Sequence, residues 1–368
     1  MAAVRRTILL NPGPATTTDS VKQAQVVSDI CPREREFGRL MESIAADLTR
    51  IAGGSPETHA AVLIGGSGTA AMDACISSVV PPEGRLLVLA NGAYGERTAE
   101  IADAYRIQTK VLRWDPSVPV DPAVAGRSLS EDAGITTVAM VHHETTSGVL
   151  NPIREVGRIA RDRGATFLVD AISSFGGIPF SVEDCGVDFL MSTSNKCLQG
   201  MAGAAFVVCR KQALKAISPL PRRSYYLSIA DLWEHFEGTG QTRFTPPVQT
   251  LYALRQALDE FFREGGEGRY ARYSESWRTL RAGLQQMGLS ILTRPEDESR
   301  LLVTVRYPSP SFDFDALHDA LYADGYTIYP GKISGIPSFR LSTIGAIDAD
   351  DIRAFLGALR PALKAAHR

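Results

Sequence analysis

The chain has 368 residues, with 39 Lys and Arg against 41 Asp and Glu, and 44% of it is hydrophobic. That composition excludes a disordered chain, a collagen-like repeat and a disulfide scaffold; a chain this long buries roughly three quarters of its unfolded surface and needs neither disulfide nor metal to fold. A formal net charge of −2 argues against a nucleic-acid partner, since a phosphate backbone calls for a basic face.

Near the start, after Arg5 and Arg6, only Ile8, Leu9 and Leu10 form an apolar run before Asn11 and Pro12, which is too short for a signal peptide. No window approaches the roughly 18 uninterrupted apolar residues of a membrane helix, so no membrane partner is expected. Cys31, Cys75, Cys185, Cys197 and Cys209 form no CxxC pair. Reduced thiols in a cytoplasmic protein are expected, most of them acting as small apolar fillers.

From 61 to 209 short apolar runs alternate with helical patterns. A strand over 61–64 ends at Gly65 and leads into a helix with Met72, Ile76 and Val79 on one face. A strand over 86–90 is followed by a helix over about 95–105, and further strands read at 137–141, 166–169, 189–192 and 204–209. Continuous apolar strands separated by helices predict a mostly parallel α/β sheet covered on both faces. Ligands of such sheets bind at the carboxyl ends of the strands.

After Pro246 and Pro247 the pattern changes. One helix carries Val248, Leu251, Leu254, Leu258 and Phe261. Gly265, Gly266 and Gly268 separate it from a second, whose stripe of Tyr270, Tyr273, Trp277, Leu280, Leu284 and Met287 reads as a core-facing side. A strand over 301–305, a helix over 315–323, short strands over 327–329 and 339–342 and a last helix from about 349 predict a small α+β domain. The expected division is an N-terminal segment 1–20 lining the site, a large domain 21–262 and a small domain 263–368.

Three groups follow the strands of the large sheet. Gly65, Gly66, Ser67, Gly68 and Thr69 join a strand to a helix, where glycines admit an anion and the helix start offers free N–H groups. Gly66, Gly68 and Ala71 satisfy GxGxxA, yet the next strand ends Leu89, Ala90, Asn91, Gly92 without the acid a dinucleotide requires. A single phosphate fits better. Asp170 closes the strand over 166–169, a costly place for a carboxylate unless a cation or several donors meet it. Lys196 follows the strand over 189–192. Cradle, carboxylate and lysine together are what pyridoxal phosphate needs, and Tyr94 stands where a ring could stack on its pyridine. His142 and His143 lack a third ligand at metal spacing, so no metal is expected. Arg222 and Arg223 read as a surface loop.

With Asn11-Pro12-Gly13-Pro14, Gly66-Ser67-Gly68-Thr69, Asn91-Gly92-Ala93-Tyr94-Gly95, Glu144-Thr145-Thr146-Ser147-Gly148, Val169-Asp170-Ala171, Ser173-Ser174-Phe175-Gly176-Gly177, Ser194-Asn195-Lys196-Cys197 and Phe339-Arg340 in this order, the chain resembles the class V aminotransferases among the fold-type-I pyridoxal phosphate enzymes. The resemblance implies pyridoxal 5'-phosphate as cofactor, Lys196 as the lysine that carries it and Asp170 as the partner of its ring nitrogen. Ser67, Gly68 and Thr69 match the phosphate cradle, Tyr94 the stacking aromatic, and Thr145 and Asn195 polar neighbours of the cofactor. Thr245 matches a residue that reaches the phosphate of the neighbouring subunit, which implies a homodimer. Arg340 matches the arginine for the substrate's anionic end; Gly13 lies in the loop lining that pocket, with the hydroxyl of Thr17 nearby.

Within the family the resemblance points to members acting on the small molecules 2-aminoethylphosphonate and pyruvate, giving phosphonoacetaldehyde and alanine. The alternatives are alanine:glyoxylate or serine:pyruvate exchange and, more distantly, a pyridoxal phosphate lyase or desulfurase using Cys31 or Cys197. The segment from Cys31 to Gly38 is more basic than its counterparts. It reads as part of the substrate entrance or as the start of a solvated helix.

Overall fold

The computed structural model describes residues 6–366; residues 1–5, in the expected N-terminal segment, and 367–368, in the expected small domain, lie outside the described residues. The strands, in chain order, begin with β1 (Ile8–Leu9), β2 (His59–Gly65), β3 (Arg85–Ala90), β4 (Thr109–Arg113) and β5 (Ile135–Val141). A two-stranded ribbon follows, β6 (His143–Glu144) with β7 (Val149–Leu150), and then β8 (Thr166–Asp170), β9 (Phe189–Thr193) and β10 (Ala204–Arg210). The last four are β11 (Leu302–Arg306), β12 (Tyr326–Thr327), β13 (Tyr329–Pro330) and β14 (Ser338–Ser342). The helices of the first part are α1 (Asp19–Gln23), α2 (Arg35–Ile51), α3 (Gly68–Val79), α4 (Ala93–Ala104), α5 (Pro122–Glu131), α6 (Ile153–Asp162), α7 (Lys211–Ile217) and α8 (Ile229–Thr239). They are followed by α9 (Val248–Glu264), α10 (Gly266–Gln286), α11 (Phe314–Ala323) and α12 (Ala349–Ala365).

Seven strands form the large sheet in the order β2-β10-β9-β8-β5-β3-β4. Neighbours from β9 through β4 are parallel, and β10 runs antiparallel to both β9 and β2. Alternate residues of each strand feed two separate cores. Leu87, Leu89, Val138, Met140, Phe167 and Val169 pack under α2, α5, α6 and α9, while Leu86, Val88, Ala139, Leu168 and Met191 pack under α3. Burial on both faces is why these strands read as unbroken apolar runs. The carboxyl ends of β2, β3, β5, β8 and β9 therefore share one edge.

The second sheet, β11-β14-β13, is antiparallel. Its core joins Trp277, Leu280 and Leu284 of α10 to Val303, Val305, Phe339, Leu341 and Phe355, so the apolar stripe faces inward as expected. Ile8 and Leu10 belong to that same core, and β1 pairs in parallel with β12. The N-terminal segment then returns across the large sheet, where Ala15 N–H donates to the Asn195 carbonyl at 3.0 Å.

Several elements differ from the sequence reading. Gly266 and Gly268 lie inside α10, and the break from α9 is at Gly265 alone, with φ of +78°. A two-residue strand such as β1 carries no periodicity, and β4 is a half-buried edge strand without an apolar run. The helix α6 buries only Ile153, Val156, Gly157 and Ala160, a stripe too sparse to stand out beside the strands.

Gly157 is the tightest helix contact: a Cβ there would come 1.8 Å from the Cys185 carbonyl oxygen. Gly157→Ala should cost roughly 1–3 kcal/mol through overpacking, read as a lower urea midpoint. Gly126→Ala, whose Cβ would meet Ile159 at an ordinary 3.5 Å inside α5, should be neutral or stabilising by up to about 1 kcal/mol.

Candidate active site

At the end of β2 the chain turns through Gly66, with φ of +151°, a conformation that favours glycine. Ser67 caps α3 without its side chain closing the cap, so the first N–H groups of the helix face outward with the positive end of the helix dipole. A Cβ on Gly68 would meet Ile172 at 2.9 Å; glycine there lets α3 lie against the segment after β8. Thr69 Oγ1 accepts from Arg97 Nη1 at 3.4 Å. The arrangement has the donors and the charge to hold a small anion, with a guanidinium at its side.

After β3, α4 presents Tyr94 and, one turn on, Arg97, whose guanidinium lies 4.8 Å from the Tyr94 ring centroid. The Tyr94 N–H donates to Glu144 Oε2 at 3.2 Å, and Thr146 donates to Glu144 through its N–H at 3.1 Å and its hydroxyl at 2.6 Å. Glu144 is fully buried, and burial raises its carboxyl against those donors. It acts as an anchor for the start of α4.

Asp170 ends β8, 3% exposed. Oδ1 accepts from the Ile172 N–H at 2.9 Å. Burial pushes the carboxyl up to about 7; the Ile172 N–H pulls it back, Glu144 raises it further, and Arg97 and Lys196 oppose the rise. Beyond β9, Asn195 Oδ1 accepts from Thr193 Oγ1 at 3.2 Å and Lys196 Nζ donates to the Pro12 carbonyl at 2.6 Å. Burial lowers the Lys196 ammonium to about 8, with Arg340 and Lys332 pushing the same way and Asp170 against them. Gly13 lies over this lysine. A Cβ there would sit 2.1 Å from Nζ, so no larger residue fits without moving the lysine.

The small sheet supplies Arg340, 1% exposed on β14. Its Nε donates to the Pro330 carbonyl at 3.0 Å and its Nη1 to the Thr145 carbonyl at 3.3 Å; burial lowers its guanidinium from the ordinary value, and Tyr94 and Glu144 oppose that fall. Of the residues singled out in the sequence, the structure thus gathers Gly13, Ser67, Gly68, Thr69, Tyr94, Thr145, Asp170, Asn195, Lys196 and Arg340 around one edge. The contact recorded for Thr17, its carbonyl with Lys22 Nζ at 3.2 Å, runs toward α1 rather than to this group. Thr245 is exposed and borders a separate groove with Gly65, Met41, Ala45 and Phe236, whose lining includes neither Lys196 nor Arg340.

Glu144, Arg97 and Lys332 were not singled out. Glu144 carried a usable signal, an acid closing a buried strand as Asp170 does. The segment before α2 is neither wholly solvated nor part of this edge: Arg33 donates to the carbonyls of Thr242 and Arg243, the latter at 3.3 Å. His142 and His143 are buried and held neutral, pushed down to about 3 and about 4 mainly by burial. Their Nδ1 atoms pair with the Ser174 hydroxyl and the Ser173 carbonyl, each at 3.0 Å. Burial raises the Cys197 thiol to about 12, which makes it a packing group and not a nucleophile. Arg223 is tied to the end of α3, donating to the Ser77 and Val80 carbonyls at 3.2 and 2.7 Å.

The sequence pattern of the family Aminotransferase class-V matches residues 19–357. This chain belongs to that family. It is 37% identical over 364 residues to a 2-aminoethylphosphonate–pyruvate transaminase of Phocaeicola vulgatus, covering 98% of this chain and 100% of that protein. It is 39% identical over 366 residues to one of the same name from Burkholderia thailandensis, covering 98% of each. Among solved structures, pyridoxamine-pyruvate aminotransferase from Mesorhizobium loti superposes with a TM-score of 0.91 at 28% identity, covering 100% of this chain and 94% of that one. Ureidoglycine-glyoxylate aminotransferase from Bacillus subtilis shares the fold with a TM-score of 0.91 at 24% identity, over 100% and 95% of the two chains.

The fold is that of the fold-type-I aminotransferases, and the chain is an aminotransferase of that pyridoxal phosphate-dependent class. Three features of the edge fit such a group: an open helix N-terminus for a phosphate, a buried carboxylate that accepts from the Ile172 N–H, and Thr145 Oγ1, buried and without a partner among the described residues.

The raised Asp170 carboxyl has a consequence for the cofactor-free protein. The folded state keeps its proton between the ordinary carboxylate value near 3.8 and about 7, while the unfolded chain releases it. Stability from this group is therefore complete below pH ~4, declines as pH rises to about 7 and stays low above, a loss of up to ~4 kcal/mol. Cofactor-free Asp170→Asn should be more stable than the parent at pH 8 and should lose that advantage near pH 4, in urea titrations at both pH values.

Proposed function

We propose that this chain transfers the amino group of 2-aminoethylphosphonate to pyruvate, giving phosphonoacetaldehyde and L-alanine, with pyridoxal 5'-phosphate held at the Lys196 edge. The observation that carries the reading is a half-buried lysine and a buried carboxylate just past adjacent strand ends, in a chain aligned end to end with transaminases of that name. Pyridoxal phosphate, when bound, supplies an aldehyde for the amine and a ring that takes up the electrons left by deprotonation.

The chain's own residues do the rest. Ser67, Gly68 and Thr69, at the N-terminus of α3, hold the phosphate, and Tyr94 covers the ring face. Thr145 Oγ1 and Asn195 are polar neighbours for the remaining ring substituents. Asp170 would hold a proton at the ring nitrogen, a task for which a buried carboxylate is suited. Lys196 Nζ carries the cofactor and, once freed, moves the proton from the amine-bearing carbon; a value near 8 leaves much of it neutral at mildly alkaline pH. Arg340 binds the anionic end of either substrate, because its fork offers paired donors to phosphonate and carboxylate alike. Gly13 keeps the pocket wall close, with Thr17 further along the same segment. 2-Aminoethylphosphonate has no carboxylate on its reacting carbon, so decarboxylation has no place in the reaction. The reading includes a homodimer, in which the exposed Thr245 reaches the partner's phosphate site, and a cytoplasmic location, supported by five free cysteines.

Borohydride should fix cofactor to the wild type and not to Lys196→Ala; label on another lysine would move the assignment. Asp170→Asn should lower turnover by about four orders of magnitude, as neutralising a buried orienting carboxylate does elsewhere, while cofactor remains bound. A screen of donors against pyruvate, following alanine, should show 2-aminoethylphosphonate well ahead of β-alanine, taurine and serine. Efficient alanine:glyoxylate exchange with no turnover of 2-aminoethylphosphonate would overturn the reading.

A further inference from the structure

Lys332 lies in the loop between β13 and β14. The loop is closed at its base, where Gly331 N–H donates to the Ser338 carbonyl at 2.7 Å, and across its tip, where Ile336 N–H donates to Ile333 at 3.2 Å. A Cβ on Gly331 would come 2.1 Å from Ser338 Oγ, so the turn next to Lys332 is set by close packing. Lys332 Nζ stands 6.0 Å from the centroid of the Tyr94 ring, the ring that also faces Arg97. Its charge is felt at Lys196.

The charges around the edge have separate duties. Arg97 reaches Thr69 in the cradle. Glu144 is taken up by Thr146 and the start of α4. Arg340 spends Nε and Nη1 on carbonyls that fix its plane. Lys332 is exposed and forms no hydrogen bond or ion pair with the described residues, yet it follows by two residues Pro330, whose carbonyl takes Arg340 Nε. A guanidinium meets planar and tetrahedral anions with similar donors, so Arg340 selects an anion without selecting its charge. A second cation at the same end favours a group bearing two negative charges over a group bearing one.

We propose that Lys332 is a specificity-determining residue, pairing with Arg340 at the substrate's anionic end so that a dianionic phosphonate is preferred to a carboxylate. This rests on the reading of the site as one for 2-aminoethylphosphonate. It assigns the choice of substrate to an exposed point charge on a hydrogen-bonded turn, with Arg340 as the common anchor.

The test uses holoenzyme and two amino donors, each followed alone through the cofactor's absorbance change: 2-aminoethylphosphonate and L-alanine. Lys332→Met should raise the half-saturating concentration of 2-aminoethylphosphonate by about tenfold, equivalent to ~1.4 kcal/mol, with the limiting rate within about threefold of wild type. The loss with L-alanine should be several-fold smaller, and Lys332→Arg should recover most of the difference. Equal losses for both donors, no loss with 2-aminoethylphosphonate, or Lys332→Arg as poor as Lys332→Met would overturn the assignment while leaving the proposed reaction standing. A wild-type enzyme that responds to L-alanine and not to 2-aminoethylphosphonate would remove the reaction itself, and the role of Lys332 with it.

Discussion

Everything at this site depends on holding ionisable groups out of water at one edge of a sheet. Asp170, Lys196, Glu144 and Arg340 are all buried or nearly so, and burial is the largest influence on each of them. Desolvation draws the carboxyl of Asp170 up and the ammonium of Lys196 down, toward neutral pH from opposite sides. An apolar sheet with helices on both faces makes this affordable, because the strand ends are the only places where backbone and side-chain polar groups converge without breaking the cores.

The lysine is constrained from a direction the large sheet does not provide. Its ammonium donates to Pro12 and lies under Gly13, residues that belong to a segment anchored at one end by β1 on β12 and at the other by Ala15 on Asn195. Ile8 and Leu10 pack in the core of the second sheet, so the wall over Lys196 and the strand bearing Arg340 share one packing unit. Displacing that unit would shift Arg340 and the lysine's cover together. Ser342 N–H donating to the Leu10 carbonyl at 2.6 Å ties the two directly.

Polar groups that resemble catalytic candidates are accounted for by packing. His143 joins three chain segments, with Nδ1 on Ser173 and Nε2 on Ser299 at 2.9 Å, and remains neutral. Cys197 sits where a Cβ on Gly177 would touch its sulfur at 2.5 Å, a thiol used for volume. Arg269, also buried, donates to the Cys197 carbonyl at 3.0 Å and to Glu264 at 2.7 Å, bracing the turn after Lys196 against α10.

The sequence by itself marked most strands of the large sheet and the polar residues that follow them. Mostly apolar runs such as 166–169 and 189–192, bounded by polar residues, fit strands buried on both faces, and the residues that follow stand near an edge; Asp170 directly and Lys196 four residues on were legible for that reason. Sustained periodicity likewise marked α9 and α10, although glycines at 266 and 268 did not break the helix, since a helix start tolerates them. Only the tertiary structure decided what meets what. The reversal of β10, the return of the first residues over Lys196, the anchoring of α4 by Glu144 and the approach of Lys332 to Tyr94 join residues far apart in the chain. No local pattern encodes such pairings, because they are selected by the shape left between packed layers and by the need to give each buried polar group a partner.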